Sequence, residues 1–188
     1  MAKKRVARSI TPWVDELKKL EEQGLLKCPE KRYLYFAYGS NLNREQMAYR
    51  CPTAHPLHRA KLYGASMIFK HYADVELDRK NHKWPVWGAV YEITKNDMDA
   101  LDYYEGYPTF YRKVKVQVML ENGNVEEVFM YVMNKRVREV ELPTNEYFDC
   151  IAKGYQDWNM NMNSLFTAWE RTALKLGVYE GEEKKARL

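Results

Sequence analysis

The run Tyr33-Leu34-Tyr35-Phe36-Ala37-Tyr38, breaking off at Gly39-Ser40-Asn41-Leu42-Asn43, constrains the fold of this chain more than any other stretch. Aromatic residues at this density suit the pleated, half-buried surface of a β-strand. The strand ends where glycine admits positive φ and where serine and asparagine turn the backbone through local side-chain bonds. Asn41 or Asn43 can then cap a short helix over Arg44 to Arg50. Strand, glycine turn and helix N-terminus in succession bring several backbone N–H groups to one point. That arrangement suits an anionic group or a developing oxyanion. Such units are also common as plain connections, so spacing alone leaves both readings open.

The chain has 188 residues, enough for one domain with a sizeable core. Its 46% hydrophobic and 14% aromatic content, with 15 tyrosines, excludes a disordered chain. A net charge of +4 favours acidic small molecules and does not indicate nucleic acid. The basic residues are scattered and do not interleave with an aromatic platform. The clusters Lys3-Lys4-Arg5 and Lys184-Lys185 read as solvated tails. Cys28, Cys51 and Cys150 have no metal-ligand spacing, and reduced thiols in a cytoplasmic protein are their simplest account. No apolar run approaches the roughly 18 residues of a membrane span. The basic N-terminus is not followed by an apolar signal core. The expectation is a cytoplasmic protein with no metal, no membrane and no nucleic acid.

Residues 1–32 form an N-terminal helical extension: Thr11-Pro12 opens a helix whose single apolar stripe, Trp13, Val14, Leu17 and Leu20, runs to a stop at Gly24. Such a stripe packs by default on its own domain; a homodimer contact or a cover over the active site are the alternatives. A main domain spans 33–160. Within it Arg59 to Lys70 reads as one long strand, Asp78 to Lys83 as a surface loop and Pro85 to Ile93 as a strand. Asn96 to Glu105 has helical spacing and ends on Gly106. Phe110–Leu120 and Val125–Met133 form a hairpin around Asn122-Gly123. Two helices follow Pro143, at Asn145 to about Trp158 and Asn163 to about Leu176. Residues 161–188 are a C-terminal helix packed on the same domain and a basic tail. Strands in the middle joined by hairpins favour a mixed or antiparallel sheet over a doubly wound parallel one.

The helix before Gly106 carries one carboxylate in an unusual place. With Met98 at zero and about 100° per residue, Leu101 falls near −60° and Glu105 near −20°. Glu105 therefore projects from the apolar stripe, and it sits in the last turn, where the helix dipole disfavours negative charge. Both placements push its pKa upward, the poise a general base needs. Asp99 points elsewhere, and Asp97 and Asp102 lie toward the shoulders and read as solvated. Helix ends also often turn a glutamate outward, so the geometry does not by itself make Glu105 catalytic.

Tyr35-Phe36-Ala37-Tyr38-Gly39-Ser40-Asn41-Leu42 resembles the signature loop of the γ-glutamylcyclotransferase-like family, and Leu101-Asp102-Tyr103-Tyr104-Glu105-Gly106 followed by Tyr111-Arg112 is similar to its second motif. Phe129 to Met133 resembles a later barrel strand, and Pro143-Thr144-Asn145-Glu146-Tyr147 its proline turn. The resemblance covers most of the chain to about Gly154. It implies an α+β fold, a small mixed, mostly antiparallel β-barrel with helices packed outside. It also implies release of 5-oxoproline and a free amine or amino acid from a γ-glutamyl amide, by attack of the substrate's own α-amine. Glu105 would be the catalytic acid/base. Tyr35, Phe36, Ala37, Tyr38, Gly39, Ser40 and Asn41, with Tyr147, would bind the substrate. No cofactor is required, and the partner is a small γ-glutamyl substrate. Other readings are a non-catalytic small-molecule binder on the same scaffold, and a γ-glutamylamine or biosynthetic γ-glutamyl-removing cyclotransferase. Between Lys70 and Val86 the chain departs from the family, with Tyr72-Ala73 where a glycine pair is common, so the mouth of the pocket is not set by the resemblance.

Overall fold

The computed structural model describes residues 11–24, 30–77, 84–135 and 137–178. It divides into two units, Met1–Lys31 and Arg32–Leu188. In the first, helix α1 spans Thr11–Glu22. Cys28, the expected loop at 78–83 and both terminal basic clusters lie outside the described residues.

The second unit is built on a closed five-stranded barrel. Strands β1 (Tyr33–Ala37), β2 (His55–Leu62), β5 (Val86–Ile93), β6 (Tyr111–Leu120) and β7 (Val125–Met133) follow the order β1-β5-β2-β6-β7. Every neighbour is antiparallel except the closing pair, where β1 meets β7 in parallel with Tyr35 opposite Phe129. The mixed, mostly antiparallel barrel expected from the sequence is therefore present. The remaining two strands, β3 (Ala65–Lys70) and β4 (Tyr72–Leu77), form a separate hairpin sheet.

That hairpin corrects the reading of Arg59 to Lys70 as one strand. Gly64 takes a φ of +70° between β2 and β3, and the chain leaves the barrel there. The return at His71 is also left-handed, with φ +66°, a conformation rarely adopted by a residue with a side chain. The turn at Gly64 carries no run of turn residues, so alternation alone reads straight through it.

Helices α2 (Arg44–Arg50), α3 (Lys95–Tyr104), α4 (Asn145–Asp157) and α5 (Met162–Leu176) complete the domain. Helix α4 packs against the 3₁₀ turn Ser40–Leu42, and α5 against β3. Gly154 makes the first contact possible, since a Cβ there would come within 2.5 Å of the Leu42 Cβ. Leu42, Ile151, Tyr155 and Leu165 are fully buried around this seam. Burying each of these large apolar side chains contributes roughly 1.5–3 kcal/mol, and this ties the turn to α4.

Candidate active site

Strand β1 delivers alternate side chains to opposite faces. Tyr35 points into a cavity at the end of the barrel, whereas Phe36 is fully buried against Gly88 of β5. Ala37 is fully buried as well, and neither Phe36 nor Ala37 lines the cavity. Tyr38, Gly39, Ser40, Asn41, Glu105 and Tyr147 do line it, alongside Tyr35. The cavity has a volume of about 370 Å³. That is at the small end of ligand pockets.

Gly39 does not use the freedom expected of it. Its φ is −108°, not the positive value expected. Its role is space: a Cβ would lie 3.3 Å from both the Ala73 Cβ and the Tyr147 hydroxyl oxygen. The backbone then tightens into the 3₁₀ turn, with Leu42 N–H bonded to the Gly39 carbonyl at 2.9 Å. The leading N–H groups of such a turn have no acceptor within it. Asn43, not Asn41, caps α2, its Oδ1 accepting from Gln46 N–H at 3.0 Å.

Asn41 is thereby free to turn inward. Its Nδ2 donates to the Tyr35 hydroxyl at 2.8 Å and to Glu105 Oε1 at 2.9 Å. Its Oδ1 accepts from Arg50 Nη1 at 2.6 Å. Glu105 is the residue immediately after α3, its N–H closing the last turn on the Leu101 carbonyl at 2.8 Å. It keeps some surface open to the cavity, yet the packing around its carboxyl strips most of its water. Burial lifts its pKa from 4.5 to about 7; the Asn41 bond and the Arg50 charge pull the other way and only partly offset it.

The surrounding hydroxyls stay protonated. Burial is the largest cause in each of Tyr35, Tyr111, Tyr131 and Tyr147, and it holds their hydroxyls well above the usual range. Their positions are fixed by the backbone and by one carboxylate. Tyr38 O–H donates to the Tyr131 carbonyl at 2.7 Å, and Tyr131 O–H to Asp102 Oδ1 at 2.6 Å. Tyr111 O–H donates to the Ala73 carbonyl at 2.8 Å, and Ala73 N–H donates to the Tyr147 hydroxyl at 3.2 Å. Asp102 is half-buried and also paired with Lys113 at 2.8 Å, so its reading as solvated is corrected. Asp97 is corrected likewise: it is buried in a capping box with Thr94.

Sequence reasoning missed Arg50, Tyr72, Ala73, Phe110 and Tyr111 as parts of this site. The cavity lining also holds Tyr131, which lies on the strand that resembles a later barrel strand of the family. For Tyr72 and Ala73 the signal was the departure from the family pattern at that point. Arg50 has none, since its partners lie 4 to 54 residues away.

The end of the closed mixed barrel thus holds a small cavity lined by one carboxylate of raised pKa and several neutral tyrosines. The family model described as "Gamma-glutamyl cyclotransferase, AIG2-like" matches residues 35–158, two thirds of the chain, and the chain belongs to that family. A human protein named gamma-glutamylcyclotransferase is 27% identical over 142 residues, covering 68% of this chain and 72% of its own. A solved structure titled gamma-glutamyl cyclotransferase superposes with a TM-score of 0.66 at 24% identity, covering 73% of this chain and 86% of that one. YkqA from Bacillus subtilis superposes at 0.59 and 21% identity, covering 86% of this chain and 58% of its own. The two structures share the fold.

Proposed function

We propose that this protein is a γ-glutamyl cyclotransferase-type enzyme that releases 5-oxoproline and a free amine or amino acid from a γ-glutamyl amide. Family membership supports the class, and one observation carries the mechanism: Glu105, with a pKa of about 7, lines a cavity of about 370 Å³ and is hydrogen-bonded to the signature loop through Asn41. Glu105 takes a proton from the substrate's α-ammonium. The freed amine attacks the γ-carbonyl, a nitrogen–carbon bond closes the five-membered ring, and the γ-amide bond breaks. Glu105 passes this proton to the departing amine, and the second proton that the ring nitrogen sheds on closure leaves with that amine as its ammonium, so Glu105 ends as it began. The nucleophile is tethered, so the cavity has to select the folded conformer of the substrate more than bring two molecules together.

Backbone N–H groups around Tyr38, Gly39 and Ser40 stabilise the oxyanion. Tyr35 accepts from Asn41 and so keeps its own O–H for a substrate oxygen. The Tyr147 hydroxyl lies against Gly39 and lines the cavity beside it. The experiment is a panel of γ-glutamyl dipeptides and γ-glutamylamines assayed for 5-oxoproline, with wild type beside Glu105→Gln. Release by the wild type and its loss in the variant support the reading. Binding across the panel with no release by the wild type makes the protein a binder.

A further inference from the structure

Arg50, the last residue of α2, does not line the cavity. Its guanidinium nevertheless joins both walls of it. Nη1 donates to Asn41 Oδ1 at 2.6 Å and reaches the Ser40 hydroxyl at 3.4 Å. Nη2 donates to Gln46 Oε1 at 2.6 Å and to the Tyr104 hydroxyl at 2.7 Å. The group also stacks on the Tyr104 ring, 3.7 Å from its centroid. Among the described residues Arg50 forms no salt bridge, so its fork is spent on neutral acceptors beside a poised carboxylate. Tyr104 precedes Glu105 in the chain, and Asn41 bonds it through space. Arg50 thus reaches Glu105 by two routes.

We propose that Arg50 is a positioning residue for the proton-transferring glutamate, acting through the Asn41 amide. An asparagine side chain can present either its oxygen or its NH₂ to a neighbour. Arg50 has only donors, so it claims the Asn41 oxygen and commits both amide hydrogens, one to Tyr35 and one to Glu105 Oε1. With Oε1 held, proton exchange falls to Oε2. Without the guanidinium the amide can turn over and set its oxygen against the carboxylate, which repels the ionised form. A lysine supplies charge but not a planar fork able to hold Asn41 and Tyr104 together. This inference rests on the reading of Glu105 as acid/base.

The test is kcat and KM from pH 5 to 9 for wild type, Arg50→Met, Arg50→Lys, Asn41→Ala and the Arg50→Met/Asn41→Ala double variant, with Glu105→Gln as reference. The tyrosines packed round Glu105 are held far above this range, so the acidic limb reports Glu105. Losing the guanidinium and the ordered amide moves that limb upward from about 7. A rise of about one unit lowers the ionised fraction at pH 7 roughly fivefold. The expected result is a fall in kcat with KM little changed, partly restored at pH 8 to 9. The double variant should be no worse than the poorer single one. Arg50→Lys should keep the limb nearer the wild type while kcat stays low. An Arg50 that merely ties α2 to α3 would lower the melting temperature and leave the limb in place.

Should Arg50→Met not fold, Arg50→Lys with and without Asn41→Ala carries the same comparison, and carbon-13 NMR of the Glu105 carboxyl follows its titration without turnover. An unmoved limb, or losses that multiply independently, overturns the positioning role while Glu105→Gln remains inactive. Turnover by Glu105→Gln overturns the functional reading itself.

Discussion

The two ends of helix α3 hold two carboxylates, one buried and one half-buried, with opposite fates. Asp97, in the first turn, has 3% of its surface exposed. Burial raises its pKa, but bonds from Thr53 and Thr94 outweigh it and the net shift is downward from 3.8. The Thr53 hydroxyl donates at 2.6 Å, the Thr94 hydroxyl at 2.9 Å and the Thr94 N–H at 3.0 Å. Glu105, just past the last turn, has one side-chain donor, Asn41, and a cation acting at a distance. The helix dipole favours the first carboxylate and disfavours the second. At these two positions the donors aimed at each carboxylate, and not burial alone, separate the directions of the two shifts.

That contrast predicts separable losses. Glu105→Gln should lower kcat by about 10²–10⁴-fold while binding of a γ-glutamyl compound and the fold persist. Asp97→Ala should do the reverse: a stability loss of roughly 2 kcal/mol by chemical denaturation, with turnover per folded molecule retained. A folded Asp97→Ala protein without activity would break the division between the two ends.

The pH dependence should also run in opposite directions. Glu105 has a raised pKa in the folded state, so the stability associated with its neutral form is complete below 4.5 and is lost as pH climbs through about 7. Glu105→Gln does not suffer this loss and should gain on wild type by about 1–3 kcal/mol between pH 4.5 and 8. Asp97 has a lowered pKa, so its contribution is present above 3.8 and fades as pH falls below that value. The smallest effect is expected from Thr53→Val, which removes one donor from Asp97. It should cost about 1 kcal/mol at neutral pH and less where Asp97 is protonated. Equal cost at pH 3 and pH 7 would show that Thr53 acts by packing.

The same division explains what the sequence could show. The β1 strand, the turn after it and the angular position of Glu105 depend on residues close together in the chain, and periodicity reads them. Asp97 was misread because a helical wheel records neither the Thr94 capping box three residues before it nor its second partner Thr53, 44 residues away. The glycine of the signature loop was rightly marked as special, but for the wrong property. Gly39 provides room for Tyr147 and Ala73, and both arrive from other elements. Arg50 was invisible for a like reason, since the bonds that make it matter cross from α2 to the loop and to α3. The β3–β4 hairpin was hidden because His71 turns without glycine, proline or asparagine. Local pattern marks where the site is, and long-range donors determine what each of its groups does.

The most direct test of the account is a carbon-13 NMR titration of side-chain carboxyls in the folded protein, with Glu105→Gln and Asp97→Asn assigning the two resonances. The account predicts that Glu105 titrates at about 7 and Asp97 below 3.8 in the same sample. A Glu105 that titrates near 4.5 would contradict it, because a carboxylate with an ordinary pKa is not the poised base on which the mechanism rests.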